Sequence, residues 1–327
     1  MLGNGTLNRR MIRCIALLLA LALSGCSIFE PQIEPIYEPE IVSVPVITEP
    51  EPEPEQPIKP PEPPRLPPVA IVLTSKQPAF LDVANALTEH LDDFQIFDLS
   101  DSSRPPVSVL RGINDSNSGT VVAIGLRAAK SSVAMADMPV IFSQVFNHQD
   151  YGLLTANSRG VAPLAPLDAQ LTAWIKADPS VSRIGIIVGE GHDDLITEAR
   201  LAAQKHDVEL RVRIASSDQE TLYLFRRMSH DIDGFWLFPD NRILSARSLQ
   251  QILESAKRGQ VAVAVPYESM LTMGATISMA TQADDIAATI AKIIRQIHAG
   301  GLSSVPAISP LSAVRVVTRT SAKVANR

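Results

Sequence analysis

Residues 69–91 read VAIVLTSKQPAFLDVANALTEHL. Val69–Leu73 is an unbroken apolar run, bounded by the turn-forming Thr74-Ser75-Lys76-Gln77-Pro78. A run this short, ended this way, predicts a strand buried on both faces. Beyond the turn, Phe80, Val83, Ala84, Leu87 and Leu91 recur at the three- and four-residue intervals of one helix face. A doubly buried strand feeding an amphipathic helix is the repeating unit of a parallel α/β sheet; a strand with one wet face would alternate polar and apolar residues instead.

The unit recurs downstream. Phe94–Leu99, Val121–Ile124 and Val140–Ser143 read as strands, with a helix over Leu126–Ala136. Leu167, Leu171, Trp174 and Ile175 mark one face of a connecting helix, and a second series follows. Strands at Arg183–Val188, Val208–Ile214, Gly234–Phe238 and Val261–Val265 alternate with helices at Asp194–Gln204, Gln219–Met228 and Ser245–Ala256. A short strand at Thr276–Met279 precedes a helix lined by Ile286, Ile290, Ile293, Ile294 and Ile297, and Ala313–Val317 closes the pattern. Two series divided near Arg159–Pro166 predict two doubly wound parallel-sheet lobes joined by a hinge. Ligands of open parallel sheets sit at the carboxyl ends of the strands, so two such lobes can enclose a small molecule. The same architecture also suits a rigid two-domain scaffold.

The amino terminus has a different character. Arg9, Arg10 and Arg13 precede an apolar run that closes on Leu23-Ser24-Gly25-Cys26. Basic residues, a short apolar stretch and small residues before a cleavage point make a bacterial secretion signal, too short to span a bilayer. The Cys after Ser-Gly resembles the lipobox of bacterial lipoproteins, which implies lipidation of Cys26 and its exposure as the first mature residue. From Glu30 to about Pro68, prolines recur every few residues with glutamates between them. Each proline fixes its φ and biases the residue before it toward extended geometry. The segment predicts a semi-rigid tether reaching up to about 100 Å at polyproline rise.

Composition narrows the function. Of the two cysteines, Cys14 lies in the segment to be removed and Cys26 in the lipobox. None is left for a disulfide, a metal or a nucleophile. The net charge of -6, without a basic stripe, argues against a nucleic-acid partner. The 46% hydrophobic content excludes disorder along the whole chain. His90, His148, His192, His206, His230 and His298 show no metal-ligand spacing, and there is no HExxH, no GxSxG and no Walker lysine. No metal, cofactor or catalytic residue is expected, and the protein reads as a non-enzyme. His192 reads as a surface-loop histidine or one at the cleft rim, and Arg127 and Arg159 as solvent-facing.

Val122-Ala123-Ile124-Gly125, Pro139-Val140-Ile141-Phe142, Arg183-Ile184-Gly185-Ile186, Pro239-Asp240-Asn241 and Met273-Gly274-Ala275 occur in order. Together they resemble the ABC-transporter substrate-binding lipoproteins that include tryptophan- and tyrosine-type binding proteins, over about Val69 to Val317. The resemblance implies a type I periplasmic-binding-protein fold that closes on a small ligand and delivers it to an ABC permease. It also implies a partition: signal 1–25, tether 26–68, first lobe 69–162 with about 280–299, second lobe 163–279 with about 300–318, and a tail 319–327.

Site residues carry over individually. Ser75 is placed to receive a carboxylate with helix N-terminal amides, or else to cap the helix. Gly125 permits close backbone approach of a ligand, or simply a tight turn. Phe146 stacks on a ligand or belongs to the core; Asn147 stands where the family often has Asp and offers an amide. Asp240 can pair with an ammonium or cap the next helix, and Asn241 offers a donor and an acceptor. Tyr267 and Glu268 occupy the next second-lobe loop. Tyr267 replaces a common acidic residue and Met279-Ala280 a typical Tyr-Gly, so the expected ligand departs from an ordinary amino acid or has been lost. The competing reading is an envelope scaffold or regulatory lipoprotein serving cell-wall machinery. Ser27 after the Cys lacks the Asp that retains lipoproteins at the inner membrane, favouring the outer membrane in a Gram-negative host.

Overall fold

The computed structural model describes residues 66–319. Expectations for the signal, for Cys26 and for the tether up to residue 65 lie outside the described residues. The last tether residues do not: Leu66 packs on the core, Pro67 fills the space beside Gly119, and Gly119 N–H donates to Pro68 O at 2.9 Å. The folded body therefore starts before Val69. Arg319, assigned to the tail, is bound at the other end, donating from Nη1 to Gly274 O at 2.9 Å.

The first series comprises β1 (Val69–Leu73), α1 (Pro78–Thr88), β2 (Phe94–Asp98), α2 (Pro106–Asn114), β3 (Thr120–Ile124), α3 (Leu126–Met135), β4 (Val140–Ser143) and β5 (Ser158–Val161). The second comprises α4 (Leu167–Ala177), β6 (Arg183–Val188), α5 (Asp193–Lys205), β7 (Glu209–Ile214), α6 (Asp218–Met228), β8 (Gly234–Trp236), α7 (Ala246–Gly259), β9 (Ala262–Val265), α8 (Ser269–Thr272) and β10 (Ile277–Ala280). Then come α9 (Ala283–Gly300), β11 (Ile308–Ser309) and β12 (Arg315–Thr318). The strands form two sheets of order β11-β5-β4-β3-β1-β2 and β12-β10-β9-β8-β6-β7. Their pairings are parallel except β10 with β12, where Ile277 faces Thr318.

The apolar run of β1 serves both faces of its sheet. Val69, Ile71 and Leu73 pack with α1 and α9, while Ala70 and Val72 pack with α2 and α3. The second sheet is layered alike. Ile184, Ile186 and Val188 face α4 and α5; Ile187, Phe235 and Val263 face α6 and α7. Trp174 and Trp236 meet edge-to-face at 6.5 Å, and Trp236 Nε1 donates to the buried Gln170 Oε1 at 3.1 Å. Gly234 leaves room for that pair, because a Cβ there would come 2.8 Å from the Trp174 ring.

The chain passes between sheets three times: after β5, between β10 and α9, and between β11 and β12. The last passage corrects the partition read from sequence. Beyond residue 300 the chain stays on the first lobe through β11, which pairs Ile308 with Gly160, and only β12 joins the second sheet. β5 escapes the sequence pattern because Arg159 lies within it. That residue is not solvent-facing: its guanidinium donates to Leu302 O and Val305 O at 2.8–3.1 Å, holding the turn after α9.

Candidate functional site

The carboxyl ends of the strands of both sheets carry the loops that meet between the lobes. From the first lobe come the loop after β4, with Phe146 and Asn147, and the short 3-10 turn His148–Tyr151. From the second come the loop after β6, with Gly189 and His192, and the loop after β8, with Asp240, Asn241 and Arg242.

Asp240 is at the centre, only 1% exposed. Its Oδ1 accepts from Asn147 Nδ2 at 2.9 Å, Arg242 N at 3.1 Å and Arg242 Nε at 2.9 Å. Its Oδ2 accepts from Gly189 N at 3.0 Å and Arg242 Nη2 at 2.8 Å, and lies 3.3 Å from His192 Nε2. Burial alone would raise its pKa, but the bonds from Arg242, His192 and Asn147 overcome burial and hold it far below the carboxylate range. Asn147, 4% exposed, also donates to Asn241 Oδ1 at 2.9 Å, and its own Oδ1 lies 3.0 Å from His192 Nε2. Both neighbours of Nε2 are acceptors, which places the proton on that nitrogen. Arg242 completes the bridge: its Nη1 meets the Asp150 carboxylate at 3.0–3.1 Å, and the Asp240 bonds raise its pKa. The Phe146 ring lies 4.8 Å from the His192 ring and packs against the apolar cluster of the second lobe.

Asn147, Asp150 and Phe146 of the first lobe thus hold Asp240, Asn241, Arg242 and His192 of the second. Sequence placed Asn147, Asp240 and Asn241 in this region, and the structure joins all three. It corrects His192, which is 7% exposed rather than a surface histidine, and it adds Arg242 and Asp150. Asp240 does not act as the sequence reading proposed for a cap, since the helix that follows begins under Ser245, whose Oγ receives Ser248 N.

The other candidates lie apart from this network. Glu268 pairs with Arg315 at 2.6 Å across an exposed surface, and Tyr267 is 49% exposed. Ser75 does not cap α1, whose N-cap is Gln77 followed by Pro78. Instead Ser75 Oγ is buried without a hydrogen-bond partner among the described residues, as are Ser143 Oγ and Gln144 Oε1. All three sit at the carboxyl ends of β1 and β4. Gly125 has φ +84, and a Cβ there would come 2.7 Å from Thr74 Oγ1 and 2.8 Å from Phe80. The tight turn and this packing account for the glycine without a ligand. Gly125→Ala is expected to destabilise the protein by about 2–4 kcal/mol, from left-handed backbone strain and overpacking together; urea unfolding of both proteins measures it.

The family described as ABC transporter substrate binding protein matches residues 89–318. The chain belongs to this family. Its members are non-catalytic solute-binding proteins of ABC importers, working outside the cytoplasm with a small-molecule ligand and a permease as partners. Solved structures share the fold of this family protein at low identity. A conserved domain protein from Vibrio cholerae is 18% identical with TM-score 0.54, over 80% of this chain and 95% of that one. An ABC domain from Streptococcus pneumoniae in complex with L-Trp is 16% identical with TM-score 0.53, over 79% and 94%. A ligand-free, open substrate-binding protein with adhesive properties from Clostridium difficile is 13% identical with TM-score 0.58, over 77% and 92%. Among curated proteins no sequence matches. Among the described residues no cluster of side chains suits a metal ion, and no helix is long and apolar enough to cross a membrane.

Proposed function

We propose that this family protein is a lipoprotein, anchored through Cys26, that captures a small polar or aromatic metabolite such as an amino acid between its lobes for an ABC permease. The observation that carries this reading is the set of unpaired polar atoms on Ser75, Ser143 and Gln144 at the strand ends of the first lobe. Buried polar atoms are rarely left unpaired; a ligand carboxylate would accept from the Ser75 and Ser143 hydroxyls, and a ligand hydroxyl or N–H would donate to Gln144 Oε1. Asn147, Asp240 and Asn241 supply the opposing groups, while Tyr267 and Glu268 stand apart on an exposed surface. Asp240 is already saturated by its own chain, so an incoming ammonium must displace Arg242 or bind beside it.

The network itself favours a second reading. Lobes held together by Asn147, Asp150 and Arg242 need no cargo to close, which suits an envelope scaffold or regulatory lipoprotein at the cell-wall machinery. Thermal melts of the purified protein with amino acids, nucleosides and short peptides separate the two. At a hundredfold excess over Kd, binding stabilises by about 2.7 kcal/mol. For a body of this size that raises Tm by roughly 5–10 °C. A panel without any shift, with only envelope proteins recovered alongside the native protein, overturns transport in favour of the scaffold.

A further inference from the structure

Beside the network, behind Phe146, lies a cavity of about 450 Å³ whose walls come from both lobes. We infer that it is a second ligand site, separate from the strand-end groups above, and that it takes a small amphipathic cation: an apolar or aromatic body carrying one ammonium group. Its volume lies in the range of small-molecule sites. The wall is largely apolar, built from Phe146 and Leu154 of the first lobe, Leu164 and Leu195 of the second, and Ile308 and Leu311 beside the last crossing.

The polar part of the lining holds two carboxylates, Gln149 and two histidines, of which His192 is engaged by Asn147 and Asp240. Asp194 and Glu198 stand four residues apart on one face of α5, and neither forms an ion pair with a described residue. Glu198 Oε1 accepts from Leu167 N at 3.2 Å, which fixes that carboxylate at the start of α4 while leaving its charge uncompensated by a cation. Among the described residues no Lys or Arg lines the cavity. His148 does, but it is 7% exposed and burial pushes its pKa down, so it enters neutral. Its Nδ1 is buried without a hydrogen-bond partner among the described residues. A bound cation thus meets two carboxylates, while its apolar body is removed from water against six aliphatic or aromatic side chains. Because Phe146 also contacts His192, occupancy here holds the lobes in the arrangement described.

Calorimetric titration of the purified full-length protein with 2-phenylethylamine, 2-phenylethanol and phenylacetate tests this. The amine is expected to bind at least tenfold tighter than the alcohol, and phenylacetate to bind weakest. The double variant D194N/E198Q keeps the side-chain shapes and the oxygen that receives Leu167 N–H. It is expected to lose at least tenfold in amine affinity and little for the alcohol, with an unaltered circular dichroism spectrum. Equal binding of amine and alcohol, amine affinity undiminished in the double variant, or binding of none of the three overturns the inference. Should that variant misfold, Glu198→Gln alone gives the same comparison. These outcomes are independent of the metabolite panel, since they are scored by charge discrimination at α5 and not by whether a cleft ligand is found.

Discussion

Asp240→Ala is expected to destabilise the folded body by about 3–5 kcal/mol, the usual cost of removing one partner from a buried charged pair. The substitution leaves Asn147 Nδ2, Gly189 N–H and the Arg242 guanidinium without the acceptor they share. At 2–4 °C per kcal/mol for a body of this size, Tm falls by roughly 10 °C. Asp150 retains part of Arg242, which keeps the loss from being larger. The lobes lose their central tie, so small-angle scattering should record a larger radius of gyration in the variant. An unchanged Tm together with an unchanged scattering curve would show that the lobes are held by apolar packing alone, and the network would then have no part in closure.

The same carboxylate sets a pH signature. Its folded pKa lies below the unfolded value, so its contribution is complete above about pH 5, where the unfolded carboxyl is already ionised. It is lost as the pH falls from there toward the depressed folded value. Between pH 5 and 8 this group contributes no slope. Asp233, paired with Arg183 and lowered to about 2, adds a smaller loss in the same acid range because its partner is exposed. The variant should therefore show a flatter acid limb than the wild type.

The fold was legible wherever burial made the sequence periodic. β1, β3, β6 and β9 are doubly buried and read as apolar runs, and α1, α7 and α9 carry clear apolar faces. α2 was not legible, because its buried face amounts to Val109, Leu110 and Ile113 in a short polar stretch. β5 was hidden by Arg159, and β11 is too short to have a period. At the site, the strand-end rule located Asn147, Asp240 and Asn241. It missed His192 because a histidine after Gly189-Glu190-Gly191 carries no local signal of burial. That burial comes from Asn147, 45 residues away, and from Asp240 on another loop. Arg242 is similar: two positions beyond Asp240 it reads as a surface residue, and only the arrival of Asp150 from the other lobe gives its second contact a meaning.

Cys26→Ala is expected to move the protein from the membrane fraction to one released by carbonate or high salt, and to abolish palmitate labelling. Each buried methylene of an acyl chain contributes about 0.8 kcal/mol of membrane affinity, so loss of the chains shifts partitioning by orders of magnitude. None of the described helices is long and apolar enough to cross a bilayer. An uncleaved signal in the variant would hold some protein at the membrane through Met11–Leu23. Labelling separates this case from lipidation, because a retained signal adds no palmitate. Labelling equal to wild type would overturn Cys26 as the lipidated residue and leave Cys14, the other cysteine of the chain, as the candidate. That outcome would also remove the reason for reading 26–65 as a tether, because a spacer has a purpose only if its far end is held.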